Sequence, residues 1–209
     1  MSNILRDHIK IVGLDNSLTG TGVSICHLSK RGDEPNFLTQ NLSNKLRGVE
    51  RLIYLREEVR EICRDADLVV IEGYAFAKTN QSHQIGELGG VLRVMLTEAQ
   101  VKWIEAAPTA VKKFATGKGD KTATKEVMAV AIYKRWKKEF PTNDQADAFV
   151  LSQIGRAIVE MEFDGEIPGW LTAFQKEVIE VIKNPVPKKK GKGKGEGGKG
   201  NKSGEGAAQ

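Results

Sequence analysis

The chain has 209 residues and a mass of 23.0 kDa, which suits one domain of ordinary size plus an appendage. Hydrophobic residues make up 40%, enough for a core, yet no apolar run approaches the roughly 20 residues of a membrane span. The net charge of +5 sits in residues 185–209, where seven Lys face two Glu, so the remainder is neutral overall and the high pI says nothing about a folded domain.

The N-terminal MSNILRDHIK lacks the apolar stretch of a secretory signal. Cys26 and Cys63 match no metal-binding or redox spacing and are expected as reduced, core-facing thiols in a cytosolic protein. Residues 9–14 (IKIVGL) form a short apolar run ending at Asp15, expected as a buried strand. After the turn NSLTG, the β-branched 21–27 (TGVSICH) pairs with it as a hairpin, and 36–42 is a third strand. From Ser43 to Arg64 apolar residues recur at helical spacing, with Ser43 or Asn44 as the cap. Asp67 then leads into LVVI, which stops at Glu72; a strand with no alternation is buried on both faces and central.

Residues 84–99 are expected as a helix in which Gly86 and Gly90 permit a close contact. Residues 101–106 form another strand, Pro108 opens a short helix, GKGDK breaks it, and 122–138 continues as a helix. Pro141-Thr-Asn signals the start of a helix from about 144 to 161. Residues 165–184 are an amphipathic extension containing Trp170 and Phe174; the Pro/Gly/Lys tail, 185–209, lacks the apolar content to fold and is expected to be disordered. Trp103, Trp136 and Trp170 are expected as core or dimer contacts. This order predicts an α/β fold: a mixed central sheet with helices on both faces over residues 1–164.

Within 112–139 nine Lys or Arg face three acids, and a locally basic stretch in a neutral domain suggests a polyanionic partner; a solvated helix face is the alternative. The acids are more specific. Asp15 and Glu72 end strands that, as parallel neighbours, would place them about 5 Å apart, in the crevice where α/β folds site their chemistry. Asp144 and Asp147, three residues apart near a helix start, share one face. Asp15 alone reads as a turn cap and Asp144 alone as a helix cap. Glu72 and Asp147, in apolar surroundings, each need a partner or a cation. Clustered carboxylates raise one another's pKa and suit hard divalent cations; two Mg²⁺ about 4 Å apart, with Mn²⁺ as a substitute, would serve phosphoryl transfer.

These residues resemble the RuvC family of Holliday-junction resolvases, of RNase H-like fold, in order from about Ile9 to Ile158. GLDNSLTGTGVSI is similar to the family's first strand and hairpin, VVIEGYAFAK to its second motif, and IGELGG to its glycine-bearing helix. APTAVKKFATGKG is similar to the segment carrying a basic residue near the site, and NDQADAFVLS to the closing motif. The resemblance implies metal ligands Asp15, Glu72, Asp144 and Asp147, with Lys112 as a catalytic cation. The second cation is Lys125, in a pattern like A-x-K-x-x-V, although two extra residues after Gly119 make Lys121 a rival. The junction-probing aromatic is Tyr74 or Phe76, and Lys78, Lys113 and Lys118 join the DNA-binding set.

It further implies a homodimer making paired symmetric nicks across four-way DNA junctions, leaving 5′-phosphate and 3′-hydroxyl ends, in a DNA-associated, cytoplasmic setting of a bacterial or phage-infected cell. The tail would add salt-sensitive DNA affinity. The alternatives are a broader flap and fork nuclease of the same fold and a non-catalytic junction-binding protein. An actin-like or sugar-kinase-like ATPase, suggested by GLDNSLTGTG, would need a second domain that the chain lacks room for.

Overall fold

A computed structural model describes residues 8–17, 20–29, 33–74 and 82–185. Among the described residues, five strands form one sheet of order β3-β2-β1-β4-β5. β1 (His8–Asp15) pairs antiparallel with β2 (Thr21–Ser29), and β2 antiparallel with β3 (Asn36–Leu42). On its other side β1 runs parallel to β4 (Leu68–Glu72), which runs parallel to β5 (Trp103–Ala106). The sheet is mixed, as expected, and its two most apolar strands lie side by side at the centre.

Their lack of alternation has a direct cause, because both faces are covered. Ile9, Ile11, Leu68 and Val70 enter one apolar cluster, with α3 (Pro108–Thr116), α5 (Asn143–Asp164) and α6 (Ala173–Lys183). Val12, Leu14, Val69 and Ile71 enter the other, with α1 (Gly48–Cys63) and α2 (Ser82–Glu98). Cys26 and Cys63 are free thiols buried in opposite clusters. Trp136 packs between Phe114 and Phe149. Trp103 and Trp170 also pack against the apolar clusters, as expected, and donate their indole N–H groups to Thr97 and Glu160.

Several boundaries differ from the sequence reading. α1 starts at Gly48, not near Ser43, because Asn44 spends its Oδ1 on the Leu46 amide 2.9 Å away and closes a local turn instead of capping. α4 (Lys125–Trp136) starts three residues later than expected: Asp120 binds both the amide and hydroxyl of Thr122, which leaves Thr124 to cap the helix. In α2 the tight contact belongs to Gly89, where a Cβ would meet Arg93, Asn16 and Tyr74. Among the described residues a Cβ at Gly86 would meet nothing within 4 Å, and at Gly90 only the Tyr74 hydroxyl at 4.0 Å. The tail from Val186 onward lies outside the described residues.

Candidate active site

Strand pairing brings the first two acids together. Leu14 is opposite Ile71 in the parallel β1–β4 register, so the next residues, Asp15 and Glu72, emerge side by side at the strand ends. Asp15 is 6% exposed, and its carboxyl group is hydrogen-bonded to that of Glu72. Beyond Glu72 the Gly73 amide donates to the Ala106 carbonyl at 2.8 Å, which continues the β4–β5 pairing past the acid and holds its backbone.

α5 supplies the other two. Thr142 caps it by accepting from the Gln145 amide at 3.2 Å, which sets Asp144 and Asp147 in its first turns. The helix lies on bare backbone of the sheet. A Cβ on Gly22 would fall 2.0 Å from the Asp144 carbonyl oxygen, and one on Gly13 would fall 2.2 Å from that of Ala148. One on Gly155, within α5 itself, would fall 2.5 Å from Ile11. Gly22 is the β2 partner of Asp15 in the hairpin register, so the start of α5 is pressed against the strand next to the first acid. Deeper in, the hydroxyls of Ser24 and Ser152 meet at 2.9 Å and fix the helix against sliding.

The electrostatics follow from this crowding. Burial first, then the Glu72, Asp147 and Asp144 carboxylates, push Asp15 up to about 9. Glu72 is raised to about 7 by burial and Asp147, against the Asp15 hydrogen bond and Lys112. Asp147 is raised to about 6 by burial and Asp144, against Lys112 and Lys125. Asp144 is also raised by burial, while Lys125 and a hydrogen bond from the Ser17 side chain oppose the shift. Burial and mutual repulsion therefore both favour the protonated form of the Asp15–Glu72 pair.

An all-oxygen donor set whose pKa values are raised for want of countercharge suits a hard divalent cation, which would supply that charge and favour the ionised carboxylates. Among the described residues no three His, Cys, Asp or Glu side chains already close into an ion cage, so the fit lies in donor chemistry and charge, not in finished coordination.

A cleft of about 1130 Å³ opens beside the acids, with Glu72 and Asp147 in its wall together with Lys112, Lys121 and Lys125. Lys112 projects from α3 and acts on Glu72 and Asp147; Lys125, at the start of α4, acts on Asp144 and Asp147. Lys121 lines the same cleft. Lys113 turns away and pairs with Glu177 of α6 at 2.6 Å. Lys118 is exposed beside Asp120. Tyr74 is 40% exposed, with the Arg93 guanidinium 4.1 Å from its ring centroid. Phe76 and Lys78 lie outside the described residues.

Sequence reading missed three contributors: Gly22, Ser17 and Arg93. Gly22 lies in a glycine-rich hairpin whose register with Asp15 was a usable signal; neither Ser17 nor Arg93 announces itself by spacing.

The sequence profile of the family described as crossover junction endodeoxyribonuclease RuvC matches residues 11–154. A Thermus thermophilus RuvC structure is similar at 20% identity with a TM-score of 0.53, covering 69% of this chain and 90% of that one. T. thermophilus RuvC in complex with Holliday junction substrate is similar at 22% identity with a TM-score of 0.59, covering 74% of this chain and 96% of that one. The Fowlpox virus resolvase, in a complex with substrate Holliday junction DNA, is similar at 15% identity with a TM-score of 0.46, covering 73% and 99%. No curated protein matches by sequence. With the profile spanning both strand-end acids and both α5 acids on a sheet of the same fold, the chain belongs to the RuvC family of crossover junction endodeoxyribonucleases.

Proposed function

We propose that this chain resolves four-way DNA junctions by metal-dependent phosphodiester hydrolysis, acting as a homodimer that makes two symmetric nicks. The observation that carries the reading is the β1–β4 register that sets Asp15 beside Glu72 at the strand ends, with the start of α5, which bears Asp144 and Asp147, pressed against the adjoining strand. A stable fold gains nothing by crowding four acids that repel one another. A site that receives cations does.

Asp15, Glu72, Asp144 and Asp147 would hold two divalent ions, Mg²⁺ or Mn²⁺, whose chemistry is to activate a water and to neutralise the leaving 3′ oxygen. The protein's own groups do the rest. Lys112 of α3 and Lys125 of α4 line the same cleft and both act on Asp147, so a scissile phosphate seated over the carboxylates would meet two cations able to stabilise charge developing on its oxygens. Ser17 orients Asp144 through its hydrogen bond. The expected products carry 5′ phosphates and 3′ hydroxyls. Tyr74, half exposed beside Glu72, is available to the unstacked bases of a junction centre.

The test is cleavage of a labelled synthetic four-way junction in Mg²⁺ or EDTA, beside duplex, flap and single-strand controls. Paired symmetric nicks in the junction alone, lost in EDTA, are expected. Asp144→Asn should lower the rate at least about a thousandfold, the equivalent of about 4 kcal/mol of transition-state stabilisation, with junction binding retained. Equal cutting of flaps would make the protein a general branch nuclease. Binding without cutting in any metal would make it a junction-binding protein.

A further inference from the structure

Arg93 is a guanidinium in the apolar middle of α2, between Leu92 on one side and Met95 and Leu96 on the other, and is only 9% exposed. Its Nη2 donates to the backbone carbonyl of Glu72 at 3.1 Å. Its Nε donates to Glu105 on β5, forming an ion pair. Its Cζ lies over the Tyr74 ring, 4.1 Å from the centroid. One group thus grips the residue that ends β4, the strand beside it, and the aromatic two residues on. Gly89 makes room for it: a Cβ there would sit 2.6 Å from Nη1 and 3.2 Å from Cε1 of Tyr74.

As a device for stability this arrangement is poor. Nη1 is buried and, among the described residues, has no hydrogen-bond partner, and an orphaned buried donor costs free energy that an apolar side chain in α2 would not. What the guanidinium provides is geometry. It meets Glu72 through the main chain and Tyr74 through the ring, so the acid and the aromatic are oriented by one rigid plane.

We propose that Arg93 is a positioning residue that sets the orientation of Glu72 and Tyr74 for junction cleavage; the proposal rests on the nuclease reading above. A lysine at 93 keeps a charge for Glu105 but not the fork that reaches Glu72 while stacking on Tyr74. Gly89→Ala keeps every charge and displaces the guanidinium. Glu105→Gln removes the ion pair and leaves the contacts to Glu72 and Tyr74.

The experiment compares full-length wild type, Arg93→Lys, Gly89→Ala and Glu105→Gln. It measures single-turnover cleavage in Mg²⁺, junction affinity in EDTA, thermal midpoint, and fluorescence of 2-aminopurine placed at the crossover, also in EDTA. Arg93→Lys and Gly89→Ala should each slow cleavage roughly ten- to a hundredfold, the scale of a misplaced reacting group. Both should also blunt the fluorescence rise that reports base unstacking, with affinity changed less than about threefold. Glu105→Gln should lower the midpoint while cleavage and fluorescence stay near wild type. If Arg93→Lys and Gly89→Ala cut and unstack like wild type, or if the rate follows the thermal midpoint across all three variants, the residue is a structural ion pair and the proposal is wrong. A wild type that cuts no junction in any metal sinks the nuclease reading, and the positioning role falls with it.

Discussion

A carboxyl group lifted by burial stabilises the folded state only while it keeps its proton. Asp15, Glu72 and Asp147 are raised to about 9, about 7 and about 6, well above the ordinary carboxylate range. The unfolded chain therefore releases these protons first. Stability from these groups is complete below about pH 4 and drains away as pH rises through the folded values. In EDTA the thermal midpoint should fall steadily between pH 5 and pH 9, with each group contributing at most about 1.4 kcal/mol per pH unit. Asp15→Asn should raise the midpoint at pH 8 by a few degrees, taking about 2–4 °C per kcal/mol for a chain of this size. Mg²⁺ should restore wild type by supplying the missing countercharge. Scanning fluorimetry across that range decides it, and a flat profile in EDTA would show that the acids are not crowded. All four acids were legible in the sequence because strand ends and helix starts are where apolar runs break. Arg93 was not: a single arginine in an amphipathic helix reads as solvent-facing, and only the packing of α2 against β4 and β5 turns it inward.

At the level of elements, α5 decides the site. Its first turn lies on Gly22, where a Cβ would come within 2.0 Å of the Asp144 carbonyl. Gly22→Ala must push the helix start away from Asp15 or bend β2. It is expected to slow cleavage about a hundredfold and to destabilise by about 1–3 kcal/mol, as overpacking does. Denaturant melts and single-turnover rates measure both, and a variant that cut at wild-type speed would show that the spacing of the acids is not set here. The order of elements and the central place of β1 and β4 were legible because unbroken apolar strands must be covered on both faces. The starts of α1 and α4 were not. Asn44 and Thr122 are good cap residues by type, but each is engaged in a turn of its own, and pattern reading sees residue type rather than which of two local hydrogen bonds wins. The glycines of α2 were misassigned for a related reason: spacing suggested Gly86 and Gly90, while the contact falls on Gly89.

Across the whole molecule, charge is divided in a way that separates attraction from aim. Residues 1–184 are neutral in sum, and the excess of +5 belongs to the tail. Neutralising Z phosphates gives a log–log salt slope of about −0.9Z on duplex DNA. Deleting residues 186–209 should therefore make the slope of junction binding shallower by up to about 4 and weaken affinity at low salt, with cut positions unchanged; titrations from 50 to 300 mM salt would show it. An unchanged slope would leave the tail no part in binding DNA. The basic 112–139 needed the fold to sort it. There Lys112 and Lys125 face the acids, while Lys113 is taken by Glu177.

The contact of α5 with Gly13 and Gly22 also bears on how such a molecule can change. Between the two halves of the site there is no compressible layer of side chains, since main chain rests on main chain. The interval between strand-borne and helix-borne acids is gauged by the peptide backbone itself. The leucines, valines and phenylalanines elsewhere in the interior are then free to drift and repack over generations without detuning the chemistry, provided the few residues with no side chain to spare are left bare.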